Sequence, residues 1–298
     1  MQNIGVVSHD AGGAEIISSW VKKNIDYNYS FYLDGPARKI FKRKLSYKNS
    51  QNLEKMIQCS DWILCGTSWQ SDLEKTAIHI ANKNQIKCIS YIDHWVNYKE
   101  RFVSEGITQL PSEIWVGDKE ALKIASKIFS GAHINLVENE YFNDIQSEIS
   151  LLNHGEGIQK SVLYVCEPVK EHAMIQFEDG FALGYDEFSA LKYFLNHIDV
   201  IDSDINQIFL RPHPSEAIDK YDWAIEYSSR PLKISTKKNL LEDIHLSTYI
   251  VGCESMALVI GLMAEKRVIS SIPPSGRQCM LPHQKIELLS SLVQNSIA

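Results

Sequence analysis

The sequence has no CxxC pair and no HExxH, so those two spacings of an intrinsic metal site are missing. Its six cysteines (Cys59, Cys65, Cys88, Cys166, Cys253 and Cys279) are scattered along the chain. That scatter argues against a dense disulfide framework and fits buried or half-buried thiols in a reducing compartment. A GxSxG elbow, a triad setting for any cysteine, a GxGxxG fingerprint and a Walker lysine are also lacking. The most apolar stretch, residues 249–264, contains Glu254 and falls short of the roughly 20 residues that span a bilayer. MQNIGVVSHD at the N-terminus lacks the basic start and apolar core of a secretory signal. A cytoplasmic enzyme is the expectation. Positive charge is the minority sign, with 30 Lys and Arg against 37 Asp and Glu and a formal net charge of −7. An acidic chain without a basic block is poorly suited to sequence-independent nucleic-acid binding, which depends on neutralising phosphates.

What is present is the composition of a folded protein. Apolar residues at 44% and charged residues at 22% argue against a disordered chain. At about 150 residues per domain, the 298 residues suggest two domains. Short apolar runs at 3–8, 29–33, 62–65, 86–91, 113–116 and 134–137 read as strands, with helical spacing over 14–23, 71–82 and 119–129. The rhythm breaks over 143–160, which carries His154-Gly155-Glu156-Gly157 and reads as a linker. It restarts with strands at 161–166, 207–210, 232–234, 249–252 and 267–271 and helices at 185–197, 240–246 and 255–264. Residues 284–298 read as a final helix that crosses back to the first domain. Strand–helix alternation favours parallel sheets, hence an α/β chain of two doubly wound Rossmann-like domains, 1–150 and 151–298, facing a cleft. Ligands in such sheets bind beyond the carboxyl ends of the strands, so the loops there are the places to look.

Five loops qualify. In His9-Asp10-Ala11-Gly12-Gly13, the adjacent glycines let a ligand approach the backbone, and Asp10 is either a base or a helix N-cap. Asp93-His94-Trp95, with Asn97, Tyr98, Arg101 and Phe102 following, crowds polar and aromatic groups at one strand end. Either these contact a ligand, or Trp95 and Phe102 pack against the domain. Arg211-Pro212-His213-Pro214-Ser215-Glu216 fixes an imidazole between two prolines. Pre-positioning of that kind is what a catalytic group requires. Cys253-Glu254-Ser255 opens a helix, where Ser255 and the amides make a phosphate site or Ser255 is simply the N-cap. Glu254 fits beside a phosphate only if it points toward a sugar. Glu167-Pro168, with Glu171 and His172 nearby, is a further strand end whose charges are either functional or solvated.

Two such domains resemble the GT-B glycosyltransferase architecture. RPHPSE at 211–216, followed some forty residues later by strand–CES–helix at 253–255, resembles the signature of CMP-sugar transferases: bacterial sialyltransferases, polysialyltransferases and β-Kdo transferases. The resemblance implies that His213 contacts the donor phosphate or aids its departure and that Ser255 binds the phosphate. It further implies an acidic base in the first, acceptor-side domain, with Asp10 the first choice and Asp93 the second. HDAGG is a loose echo of those families' acidic motif. Arg211, Glu254, Glu167, Gly12 and Gly13 complete the expected nucleotide-sugar site, with no metal and no cofactor. The implied function is metal-independent transfer of an acidic sugar from a CMP-activated donor to a surface-glycan or lipid-linked glycan acceptor, with at most peripheral membrane contact. UDP-GlcNAc 2-epimerases share the architecture, and teichoic-acid glycerophosphotransferases also carry His-Pro with a later serine. The alternatives are therefore a UDP-sugar 2-epimerase-like enzyme or a non-catalytic sugar-nucleotide-binding scaffold subunit.

Overall fold

A computed structural model describes residues 1–68, 71–152, 160–236 and 239–297. The chain divides into two compact units, Met1–Ile145 and Gln146–Ala298. The first unit contains β1 (Asn3–Ser8), β2 (Asn28–Leu33), β3 (Trp62–Cys65), β4 (Lys87–Ile92), a small antiparallel hairpin of β5 (Val103–Ser104) and β6 (Ile107–Thr108), then β7 (Glu113–Val116) and β8 (Ile134–Leu136). Apart from the hairpin, these strands form one parallel sheet in the order β2-β1-β3-β4-β7-β8. The second unit contains β9 (Ser161–Val165), β10 (Gln207–Arg211), β11 (Leu232–Ile234), β12 (Tyr249–Gly252), β13 (Arg267–Ser270) and β14 (Ile286–Leu288). They too form a parallel sheet, in the order β11-β10-β9-β12-β13-β14.

The central strands are buried almost end to end because helices cover both faces, which is why they read as continuous apolar runs. Ile4, Val6, Ile17, Leu33, Phe41 and Leu64 build the first core, and Val162, Tyr164, Phe194, Leu210, Tyr221 and Val251 the second. In each sheet the winding direction reverses once, between β1 and β3 in the first and between β9 and β12 in the second. Loops diverge at such a switch point and leave a crevice at the carboxyl edge. Those crevices position the candidate residues.

Four expectations need correction. The segment 143–160 is not irregular throughout, because the helix Glu140–Leu151 begins before it. Only Ile145 of that helix is buried, and Ser19 donates to Asp144 and ties it to the first unit. The HGEG motif at 154–157 lies outside the described residues. The tail is part strand: β14 extends the second sheet, and the helix Leu289–Ile297 packs Leu289, Leu292 and Val293 into the second core. Finally, the acidic chain does hold a basic block. The helix Gly35–Lys44 and the loop after it carry Arg38, Lys39, Lys42, Arg43, Lys44 and Lys48, with no acidic residue between positions 35 and 53. Cys59 is exposed, against the expectation of buried or half-buried thiols.

The helix Ala11–Lys23 approaches β3 so closely that a β-carbon on Gly13 would lie 3.2 Å from the Gly66 Cα. Because backbone stands on the other side, the strain cannot be relieved by a side-chain rotation. Gly13→Ala should therefore destabilise the protein by about 1–3 kcal/mol, the usual cost of overpacking, as read by urea denaturation.

Candidate functional site

In the first unit the loop after β1 carries His9 and Asp10. Asp10 occupies the N-cap position of the helix Ala11–Lys23, but its side chain makes no capping bond. Instead its Oδ1 lies 2.8 Å from His9 Nδ1. An ionised carboxylate can only accept, so that ring nitrogen carries the proton. Across the switch point Glu74, 1% exposed, accepts the His9 backbone N–H on Oε1 at 2.7 Å. Its Oε2 has no hydrogen-bond partner among the described residues. Burial, with the nearby Asp10 charge and against the His9 N–H, lifts the Glu74 carboxyl to about 7.

Asp93 follows β4 and reaches the same edge. Its Oδ1 accepts Arg101 Nη1 at 2.5 Å, and Arg101 also donates to Thr67 Oγ1 at 2.7 Å. Its Oδ2 occupies the room beside Gly12: a β-carbon there would lie 1.9 Å from it. The two glycines expected to admit a ligand therefore face protein in the structure, Gly12 facing Asp93 and Gly13 facing Gly66. Trp95 and Phe102 take the packing alternative. Trp95 is buried with Nε1 donating to Asp118 at 3.0 Å, and Phe102 is buried edge-on against Phe129.

In the second unit β9 lies between β10 and β12, so Glu167 stands between the His213 loop and the helix Met256–Met263. Glu167 Oε1 accepts the backbone N–H groups of Cys253, Glu254 and Ser255 at 3.0, 2.9 and 3.0 Å. The amides expected to hold a phosphate thus hold an internal carboxylate. Burial and the Glu254 charge, against those three donors, lift Glu167 to about 7. Ser255 is the N-cap, its Oγ accepting from Ala257 N at 3.1 Å. Glu254 points into the following loop, where it pairs with Arg277 and accepts Met280 N at 3.1 Å. Arg211 gives Nη1 to Asp243 at 2.6 Å, since a carboxylate only 5% exposed needs a cation beside it.

His213 is held differently. Its backbone N–H donates to Glu216 Oε2 at 3.0 Å, and Glu216 Oε1 accepts from Lys220 and Tyr221. Ser215 N donates to His213 Nδ1 at 3.2 Å, with the Ser215 hydroxyl 2.8 Å from the same atom. Nδ1 is therefore an acceptor, and the neutral ring carries its proton on Nε2. Burial first, against the Glu216 charge and with His172 nearby, holds the imidazole below its ordinary pKa. Of the expected site residues, then, Asp10, Asp93 and Arg101 share one edge with the unexpected partners Glu74 and Thr67, while Glu167, Glu254 and Ser255 share the other. Glu216 had a legible signal, an acid three residues after His213 that reaches back to its N–H. Glu74 had none, being 65 residues from His9.

No family model and no curated protein matches this chain. Solved structures do. It is similar to MnaA of S. aureus solved with UDP, with a TM-score of 0.61 at 12% identity over 91% of this chain and 79% of that one. It is similar to the UDP-GlcNAc 2-epimerase of Methanocaldococcus jannaschii, with a TM-score of 0.58 at 11% identity over 90% and 83%. A third similarity is to the glycotransferase of kitacinnamycin, with a TM-score of 0.50 at 11% identity over 90% and 80%. The fold is GT-B, two Rossmann-like units in succession. The narrower resemblance to CMP-sugar transferases gains nothing from these similarities. No helix among the described residues is long and apolar enough to cross a membrane.

The raised Glu74 carboxyl makes a signed prediction. A carboxyl whose folded pKa lies above its ordinary 4.5 favours folding while protonated, and that contribution is lost as pH rises through about 7. Glu74→Gln keeps the acceptor for His9 and removes the charge. It should add up to about 3 kcal/mol at about pH 8 and little at about pH 5. Equal effects in urea denaturation at both pH values would contradict this.

Proposed function

We propose that this protein is a metal-independent glycosyltransferase that moves an acidic sugar from a CMP-activated donor to a glycan acceptor. The observation that carries the reading is the His-Pro-Ser-Glu loop, in which Glu216 grips the backbone and Ser215 occupies Nδ1, leaving the His213 Nε2–H as a donor. A CMP leaving group has one phosphate, whose developing charge a fixed N–H can stabilise. The Ser255 hydroxyl, already accepting from Ala257, has its O–H to donate to the same phosphate. With Arg211, Glu254 and the three amides engaged internally, the donor contacts narrow to His213 and Ser255.

The acceptor hydroxyl needs a base, and the surroundings favour Asp10 over Asp93. Asp93 has one oxygen on Arg101 and the other against Gly12, while Asp10 is more exposed and, among the described residues, has its side chain held by His9 alone. In the proposed step the acceptor oxygen bonds to the anomeric carbon as the bond to the CMP phosphate oxygen breaks. The hydroxyl proton passes to Asp10, and the phosphate keeps the electron pair facing His213. The second reading, a UDP-sugar 2-epimerase-like enzyme, is favoured by the fold similarity to MnaA with UDP and to the archaeal epimerase.

A thermal-shift screen against CMP, CDP, UDP, GDP and ADP separates them, because a ligand that binds only the folded state raises its melting temperature. CMP selectivity is expected; UDP selectivity would turn the reading to the epimerase, and no response to a binding scaffold of another kind. Ser255→Ala should weaken CMP binding by about 1–2 kcal/mol, roughly 5- to 30-fold. His213→Ala should lower turnover more than binding. Asp10→Asn should leave CMP binding intact and reduce transfer by about 10²-fold, with Asp93→Asn as the paired control.

A further inference from the structure

The helix Gly35–Lys44 starts at the candidate base. Ala37 N donates to the His9 carbonyl at 3.0 Å, and Gly35, at φ +50, lets the helix begin where a β-carbon would meet His9 Nε2 at 2.6 Å. From that point ten residues run about 15 Å away from the strand edge. Ala37 and Phe41 turn inward, and the outer face carries Arg38, Lys39, Lys42 and Arg43, all exposed. Lys48 continues the charge in the loop, and Lys42–Tyr47 line a surface hollow of about 550 Å³.

This concentration of charge is not accounted for by the fold. Cations in the last turn complement the helix dipole, which explains Lys42, Arg43 and Lys44. Lys39 lies in the N-terminal half, away from that end. Its spacings to Lys42 and Arg43 set like charges one turn apart, which disfavours the helix. Internal acids answer only part of the charge. Asp34 pairs with Arg38, and Glu15 with Arg43 and Lys44. Lys39, Lys42 and Lys48 have no ion pair among the described residues, in a protein whose net charge is −7.

We propose that this ridge binds an acceptor that is itself a polyanionic chain, with repeating carboxylate or phosphate groups along Lys39, Lys42 and Lys48 and its reactive end at His9 and Asp10. The inference rests on the transfer reading for which end of that chain reacts, while the binding surface stands on charge and placement. A bilayer fits less well, since the helix's apolar residues Ala37, Ile40 and Phe41 pack against the core and present no apolar face to insert.

The test uses the full chain, an α2,8-linked sialic acid decamer, a poly(glycerol phosphate) of similar length, neutral dextran and phosphatidylglycerol vesicles, with CMP binding measured in parallel. At roughly 50 mM salt one or both anionic polymers should bind and dextran should not, with affinity falling about tenfold or more by roughly 300 mM salt. Which polymer binds identifies the anion. Lys39→Glu/Lys42→Glu, and the milder Lys39→Gln/Lys42→Gln, should weaken binding at least tenfold and about threefold, respectively, with CMP binding unchanged and the melting temperature not lowered. Vesicle binding without polymer binding, equal affinity for dextran, or full binding by both variants would overturn the proposal. Polymer binding without CMP binding would sink the donor assignment and leave this surface standing, and CMP binding without polymer binding would do the reverse.

Discussion

Buried carboxylates that accept backbone N–H groups hold the strand-end loops of both units, and the geometry of both candidate edges follows from them. Glu74 fixes the turn at His9, Glu167 gathers three N–H groups at the start of the helix Met256–Met263, and Glu216 fixes His213. Each bond is charge-assisted when the acid is ionised, and each satisfies a donor that would otherwise be orphaned where the strand ladder stops. A loop held this way is shaped by residues distant in the chain, so its side chains are aimed before any ligand arrives. The consequence is clearest at 253–255, where a helix N-terminus with the chemistry of an anion site is occupied by the protein's own carboxylate.

The strands were legible because helices bury both their faces and leave near-continuous apolar runs such as YIVG and SVLYV. Asp10, Asp93, His213 and Ser255 were legible as strand-end residues for the same reason: each follows a run that could be recognised. The helix Gly35–Lys44 is harder to read, because its inward stripe of Ala37, Ile40 and Phe41 is short and set among cations. Partners were the illegible part. Glu167 meets residues 86 to 88 positions away, and Glu74 meets one 65 away, pairings created by strand order and by no local pattern.

Glycine shows the same limit. HDAGG announces that something comes close to the backbone, and something does, but composition cannot distinguish a ligand from Asp93. His213 is the opposite case. Prolines on either side and an acid three residues on are local features, and they specify an imidazole whose tautomer is set by its own loop.

Glu167 carries a further consequence. A carboxyl lifted to about 7 is partly ionised near neutrality, and its hold on the proton depends on the three N–H groups it accepts. Any ligand that draws those groups away, or adds negative charge beside them, changes how many hydrogen ions the protein carries. The heat of such a binding event would then vary with the ionisation enthalpy of the buffer. The slope of that dependence would count protons exchanged with solvent, turning calorimetry in paired buffers into a readout of whether this one carboxylate moves.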